Sequence, residues 1–277
     1  MKIKKMDSSV IKQIAGFKNL YLVLDYDGTL TPIVSQPPKA KLVSGVRAAL
    51  RALSGMPGVK MAILSGRSLH DIEKLVGIES LDYVGNHGLE RKIQSVVSVD
   101  PYASKFQEFI ASLIRKLDMS LKGIPGILVE DKTYSLSVHY RNVKPKNIPG
   151  ARKIFQKAWE EFSAKIFFRI KPGKKVWEVR PVYGCSDKGG ALGLLFGAVP
   201  KAKRKDLTMV YIGDDATDED AFKTLKSSDF PIRVGPSSRT AARYCLRSPA
   251  EVAFFLKRLI EVRKKDSALL REFAASR

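Results

Sequence analysis

Residues 21–30 read Tyr21-Leu22-Val23-Leu24-Asp25-Tyr26-Asp27-Gly28-Thr29-Leu30, an apolar run that ends in two carboxylates and a Gly-Thr turn. The pattern predicts a buried strand, Leu20–Leu24, that delivers Asp25 and Asp27 to a loop. In an extended chain, side chains two apart point the same way, so both carboxylates can face one reacting atom. Gly28 lets the backbone turn sharply behind them. A second apolar run, Met209–Ile212, ends in Gly213-Asp214-Asp215-Ala216-Thr217-Asp218-Glu219. Two strand-end acidic clusters so far apart in sequence point to one divalent-cation site. Magnesium takes oxygen ligands and keeps several waters, so one or two carboxylates suffice. Asp25 and Asp214 form the expected direct pair, with Asp215 and Asp218 placed to hold metal-bound waters.

Outward from these loops, strand-like runs alternate with helical patterns, which predicts an α/β fold with a mainly parallel sheet. Lys60–Leu64 and Pro231–Val234 read as further buried strands, and Val43–Leu53 has helical apolar spacing. Ser68 with Asp71, and Thr217 with Asp220, read as helix caps; Ser248-Pro249-Ala250-Glu251 is a third helix start. The tail beyond Lys265 is expected to be loosely packed. From about Val96 to Arg180 the character changes. Tyr134, Leu136, Val138 and Tyr140 alternate with Ser135, Ser137, His139 and Arg141, which predicts an open sheet with one wet face. Ile154, Phe155, Ala158, Trp159 and Phe162 follow at helical spacing. The reading is a discontinuous core, residues 1–95 and 184–277, with an α+β lid inserted over 96–183.

Composition bounds the function. The 277 residues are 44% hydrophobic and 28% charged, as in a soluble globular protein. No apolar run reaches the ~18–20 residues of a membrane span, so no membrane partner is expected. Neither a signal peptide nor a disulfide framework is read in the chain, whose two cysteines are Cys185 and Cys245, and the expected compartment is the cytoplasm. The net charge of +21 favours polyanions or phosphorylated substrates. Its densest stretch, Arg141 to Lys175, holds eleven Lys/Arg against Glu160 and Glu161. A nucleic-acid groove would interleave aromatics with these bases. Trp159, Phe162, Phe167 and Phe168 have a spacing that fits a core better, so nucleic acid is not the expected partner.

The remaining candidates supply positive charge and hydrogen bonds. Lys188, in Ser186-Asp187-Lys188-Gly189-Gly190, sits at a helix start, where a lysine adds a point charge for phosphate. Ser65, at a strand end before Gly66, can donate hydroxyl and backbone bonds to the same phosphate. Asp25 can then attack phosphorus to give an aspartyl-phosphate, and Asp27 can protonate the leaving oxygen and later activate water.

The order Asp-x-Asp-Gly-Thr, strand-end Ser, Lys, Gly-Asp-Asp-x-x-x-Asp resembles the haloacid dehalogenase phosphatase superfamily. More narrowly, the chain resembles the trehalose-6-phosphate phosphatase family. That rests on Asp25 to Pro32, Leu64-Ser65-Gly66-Arg67, Gly85-Asn86-His87-Gly88-Leu89-Glu90, Val129-Glu130-Asp131-Lys132, His139-Tyr140-Arg141, Glu178-Val179-Arg180-Pro181, Asp187-Lys188-Gly189 and the 213–219 cluster. The resemblance implies a Rossmann-like core with an α/β cap. It implies Asp25 as nucleophile, Asp27 as general acid/base, and magnesium on Asp25, the Asp27 backbone carbonyl and Asp214. It also implies that Glu130, Lys132 and Glu178 grip sugar hydroxyls. In extended chain Glu130 and Lys132 share a face, as do Glu178 and Arg180, and such a polar clamp suits a disaccharide. His87 is expected to be structural or to contact sugar, Arg67 to contact sugar or dock the lid, and Arg141, with His139, to line the cleft or bind solvent. Asn86 occupies the variable position of its segment and leaves the sugar contacts there open.

The expected substrate is therefore trehalose 6-phosphate. The rivals are a phosphatase for sucrose 6-phosphate or a glycosyl-glycerol phosphate, a nucleic-acid-binding or end-processing protein, and a catalytically silent sensor. The chain has no room for a fused glycosyltransferase, so a separate synthase is expected to supply the sugar phosphate.

Overall fold

The computed structural model describes residues 3–34, 36–182, 184–185, 187–237 and 239–275, with the backbone alone for 267–275. Its strands are β1 (Lys4–Lys5), β2 (Asn19–Leu24), β3 (Val59–Leu64), β4 (Asp82–Gly85), β5 (Glu90–Ile93), β6 (Val96–Val99), β7 (Leu128–Asp131), β8 (Leu136–His139), β9 (Phe168–Gly173), β10 (Val176–Pro181), β11 (Leu207–Gly213), β12 (Phe230–Val234) and β13 (Tyr244–Leu246). The helices are α1 (Ser8–Gly16), α2 (Val46–Ser54), α3 (Leu69–Val76), α4 (Pro101–Lys105), α5 (Gln107–Leu121), α6 (Ile148–Glu160), α7 (Lys188–Gly197), α8 (Lys201–Arg204), α9 (Asp218–Thr224) and α10 (Pro249–Ala275).

Among the described residues, nine strands form one sheet in the order β1-β13-β12-β11-β2-β3-β4-β5-β6. Pairing is parallel from β1 through β4 and antiparallel at β5 and β6. The strand order reverses beside β2: β3 and β4 lie to one side, β11 and β12 to the other. Such a reversal opens a crevice at the carboxyl ends of the strands. Asp25 follows β2 and Asp214 follows β11, so both acidic loops meet there.

Alternation along β2 buries it on both faces. Leu20, Leu22 and Leu24 pack with Ile11 of α1, Leu50 of α2, Ile72 of α3 and Phe255 of α10. Tyr21 and Val23 pack on the other face with Leu192 of α7 and Phe222 of α9. Double burial is why the run is apolar throughout. Ser68 caps α3 as expected, accepting from the Asp71 amide at 3.2 Å. At α10 the Glu251 amide donates to Ser248, and the Glu251 carboxylate accepts from the Arg247 amide. Helix α2 starts at Val46, three residues later than its apolar spacing suggests, because Gly45 turns the chain with φ 81°. Helix α10 continues to Ala275, past the point where a loose tail is expected; side-chain packing there lies outside the described residues. No helix among the described residues is long and apolar enough to cross a membrane.

The second sheet, β7-β8-β10-β9, is antiparallel and has its own core. Leu136 and Val138 of β8 pack against Ile110, Leu113 and Leu117 of α5 and Phe155 of α6. The Trp177 ring stacks on Phe155 at 5.2 Å and on Tyr140 at 4.6 Å. The aromatics of the basic stretch belong here: Phe162 and Phe168 are buried, with Trp159 and Phe167 packed beside them.

Two expectations change. A break between 95 and 96 would cut the β5–β6 hairpin, whose both strands are in the large sheet; the far edge, at 183, falls on a residue outside those described. The face expected to be wet is covered over half its length: Ser135 and Ser137 are each 1% exposed because they face the cleft between the two sheets, whereas His139 is half-buried and Arg141 exposed.

Phe155 is 3% exposed, and truncating a core phenylalanine costs about 3–5 kcal/mol. Phe155→Ala is therefore expected to lower unfolding free energy in urea by that amount. A loss below about 1 kcal/mol would mean that α6 does not depend on this packing.

Candidate active site

The end of β2 is fastened to β11 by the Asp25 amide, which donates to the Ile212 carbonyl at 2.9 Å. The chain then turns tightly, with Gly28 at φ 82°. A Cβ on Gly28 would lie 2.2 Å from Asp214 Oδ2, so glycine is what allows the two acidic loops to approach. Lys188 is the first residue of α7, whose cap is Asp187, accepting from the Gly190 amide at 2.8 Å. The neighbouring Ser186 lies outside the described residues.

Lys188 Nζ donates to Asp25 Oδ1 and to Asp218 Oδ1, each at 2.7 Å, and the lysine is 3% exposed. Asp218 also accepts from Tyr211 Oη at 2.7 Å and from the Asp214 and Asp215 amides at 2.9 Å. It is a fully buried hub. With its carboxylate bonded by four donors, it is a poorer place for metal-bound water than its spacing suggests. The same bonds shape the start of α9, where Thr217 makes no side-chain cap; its amide and hydroxyl both bond Asp215 instead.

Carboxylate oxygens of Asp25, Asp214 and Asp218 lie within 4.8 Å of one another. Burial raises Asp25 well above the usual carboxylate range; Lys188 opposes this, while Asp218 and Asp214 add to it. Burial likewise pushes Asp214 up to about 6 against the opposing Lys174. Burial also works against ionisation of Asp215, but Lys188 and the Thr217 bonds bring it down to about 2. For Lys188, burial works against the charge, yet Asp218 and Asp25 hold it well above the ordinary lysine value. Three buried carboxylates against one buried lysine leave a demand for more positive charge. An all-oxygen donor set of this kind fits magnesium.

Two cations escape the sequence reading. Lys174, in the β9–β10 turn, reaches Asp214 Oδ2 at 2.7 Å, and Arg141 holds that turn by donating to the Lys174 carbonyl at 2.8 Å. Arg233 braces the β11 loop by donating to the Asp214 carbonyl at 2.8 Å and to Glu219 at 2.9 Å. A charged residue inside the apolar run Pro231–Val234 is the signal that marks Arg233. Lys174, one lysine among many, has none.

A cavity of about 440 Å³ extends from Asp25, Ser65 and Lys188 to Glu130, Lys132 and Glu178 on the second sheet. Lys132 Nζ lies 2.9 Å from Glu178 Oε1 and 3.8 Å from Glu130 Oε2, and Glu130 also bonds His139 at 2.7 Å. Arg180 bonds Glu178, but its Nε and Nη1 have no partner within the protein. His87 lines the cavity with Nε2 3.3 Å from Glu178, and a Cβ on Gly66 would strike that nitrogen at 2.4 Å. Burial, with the Arg180 charge, lowers His87 to about 3, so the ring is neutral near pH 7 and unsuited to deliver a proton. For Glu178, burial works against ionisation, but Lys132, His87 and Arg180 hold it well below its usual range.

The Arg67 guanidinium lines the cavity, where it forks onto both oxygens of Asp27 at 2.7 Å and donates to the Pro37 carbonyl. Asn86 is 1% exposed and stands behind the cavity wall, where it bonds Glu90, Ser135 and the Lys132 carbonyl. The Asp27 carboxylate thus points to Arg67, leaving only its backbone as a candidate ligand.

The fold is that of the haloacid dehalogenase phosphatases, which are phosphoric monoester hydrolases. Residues 23–250 match the trehalose-phosphatase family model, and the chain belongs to that family. It is 34% identical over 281 residues to "Probable trehalose-phosphate phosphatase 2" of Oryza sativa subsp. japonica, covering 93% of this chain and 72% of the relative. It is 33% identical to "Trehalose-phosphate phosphatase B" of Arabidopsis thaliana, covering 92% and 70%. Among solved structures it resembles the C-terminal domain of the C. albicans trehalose-6-phosphate phosphatase, with TM-score 0.77, 25% identity, and 94% and 99% of the two chains covered.

Leaving a buried donor without its acceptor costs about 1–3 kcal/mol. Asp218→Ala, which takes one of the two carboxylates from Lys188 and the acceptor from the Tyr211 hydroxyl and the Asp214 and Asp215 amides, is expected to lose at least that much stability in chemical denaturation. Wild-type stability would show that the hub carries no structural weight.

Proposed function

We propose that the protein hydrolyses trehalose 6-phosphate to trehalose and phosphate, with magnesium, through an aspartyl-phosphate on Asp25. The observation that carries this reading is one continuous cavity with a buried carboxylate–lysine pair at one end and a charged, hydroxyl-seeking grip at the other. Asp25, Asp214 and the Asp27 backbone carbonyl would hold the ion, whose bound charge would let a phosphate dianion approach the carboxylates.

The chain's own residues supply the rest. Lys188, pinned by Asp218, holds Asp25 in place and offers its positive charge to the phosphoryl oxygens. Ser65 donates from the facing strand end. Asp25 attacks phosphorus, and the bond from phosphorus to the sugar oxygen breaks with its electron pair leaving on that oxygen. Asp27, released from the Arg67 fork and carrying a proton, gives it to this oxygen and becomes a carboxylate that the fork can take back. It then takes a proton from water, which attacks phosphorus and breaks the bond to Asp25. Phosphate and the free sugar are released, and Asp27 carries a proton again.

Glu130, Lys132 and Glu178 grip the sugar hydroxyls, with Arg180 behind them. The small sheet acts as a cap: its closure shuts out water and brings the grip over the phosphate end.

Phosphate release from a panel tests this: trehalose 6-phosphate, sucrose 6-phosphate, glucose 6-phosphate and a 3′-phosphorylated oligonucleotide, with magnesium and with chelator. A magnesium-dependent preference for trehalose 6-phosphate is expected. Preference for another member would keep the aspartates and refute the grip. Lys132→Ala is expected to lower kcat/KM for trehalose 6-phosphate by on the order of 100-fold, as for loss of a charged hydrogen bond, and to affect p-nitrophenyl phosphate less. Equal losses on both would refute the assignment of Lys132.

A further inference from the structure

The turn that follows β4 holds two non-glycine residues in the left-handed region, Asn86 at φ 48° and His87 at φ 57°. That region is sparsely populated by side-chain-bearing residues, asparagine being among those that tolerate it best. Strain of this kind persists only where the surroundings over-determine it. Here the surroundings lie on both sides of the cleft.

On the side of the large sheet, the Asn86 amide donates to the Arg67 carbonyl at 2.7 Å and the His87 amide to the Ser65 carbonyl at 3.0 Å. Glu90, which accepts from Asn86 Nδ2, also accepts from the Leu69 amide at the start of α3. On the side of the small sheet, Asn86 Nδ2 donates to the Lys132 carbonyl at 2.7 Å and Asn86 Oδ1 accepts from Ser135 Oγ at 2.6 Å. Lys132 and Ser135 are themselves joined, amide to carbonyl, at 3.1 Å. One side chain therefore fastens both arms of the β7–β8 turn to the backbone that carries Ser65 and Arg67.

We propose that Asn86 is a positioning residue for sugar recognition: it fixes Lys132 at a set distance from Ser65 and so matches the cleft to one length of sugar phosphate. This rests on the reading of Lys132 as part of the sugar grip. The chemistry of the site selects asparagine. Its carboxamide offers two donors to the Glu90 and Lys132 acceptors and one acceptor to Ser135. An aspartate would set acceptor against acceptor at two of these three contacts, and a serine is too short to span them. His87 completes the arrangement by seating against Glu178, the partner of Lys132.

Two substitutions separate the bonds from the backbone. Asn86→Gly keeps the left-handed turn at no steric cost and removes the carboxamide. Ser135→Ala removes one bond from the small sheet and leaves the turn untouched. Each variant is assayed on trehalose 6-phosphate and on p-nitrophenyl phosphate with magnesium, and amide hydrogen exchange is followed over residues 128–139 without substrate. For Asn86→Gly, KM for trehalose 6-phosphate is expected to rise about tenfold, the scale of one or two lost buried hydrogen bonds. The loss on p-nitrophenyl phosphate is expected to be much smaller, with faster exchange at 130–136. Ser135→Ala is expected to follow in the same direction with a smaller effect. Equal losses on both esters, or unchanged exchange, would overturn the proposal. Should the wild type show no preference for trehalose 6-phosphate, the functional reading fails; exchange in the two variants then still tests the tie, supporting it if faster and overturning it if unchanged.

Discussion

The ammonium of Lys188, buried between Asp25 and Asp218, is the contact on which the site depends. It joins three places that are remote in sequence: the end of β2, the first turn of α7 and the first residue of α9. A lysine so deep is held charged only by carboxylates that are equally deep, and those carboxylates are tolerable only because the lysine is present. The balance remains short of positive charge, since Asp214 stands beside the pair. That shortage makes the site receptive both to a cation and to Lys174, which comes from the small sheet and bonds the same carboxylate.

The second half of the cleft follows a similar logic with a different purpose. Around Glu178 converge Lys132, Arg180 and His87, so a buried carboxylate is kept ionised by partners drawn from both sheets. Such a network is costly to assemble and rigid once satisfied. Rigidity is what the proposed grip on hydroxyls needs, because a misplaced donor loses more than it contributes. The unpaired nitrogens of Arg180 and His87 show that the network retains hydrogen-bonding capacity within the protein's own frame.

Much of this was legible in the sequence where the determinants are local. The alternation at Leu20–Leu24, the acidic turns after two apolar runs and the cap at Ser68 each lie within a few residues of what they specify. What the sequence left open are pairings at long range. Arg67 finds Asp27 forty residues away, Lys174 finds Asp214 forty away, and Asn86 finds Lys132 forty-six away. In each case the side chain is suited to several partners, and the sheet order chooses one. The boundary at 95/96 failed for a related reason. Gln94 and Ser95 take the left-handed angles of a two-residue hairpin without the glycine or asparagine that usually announces one. Val96–Val99 therefore reads equally well as the start of a new layer. Ser135 and Ser137, before and within β8, are another such case: an alternating stretch shows which face is polar and says nothing about what covers it.

The central claim is that Asp25 bears the phosphoryl group. Its most direct test is to quench the enzyme during turnover of trehalose 6-phosphate, reduce with borohydride, and map the product by mass spectrometry. Reduction converts a phosphorylated aspartate to homoserine, and the account predicts homoserine at position 25 and no other acidic position. Homoserine at a different carboxylate, or turnover with none formed at position 25, would contradict it.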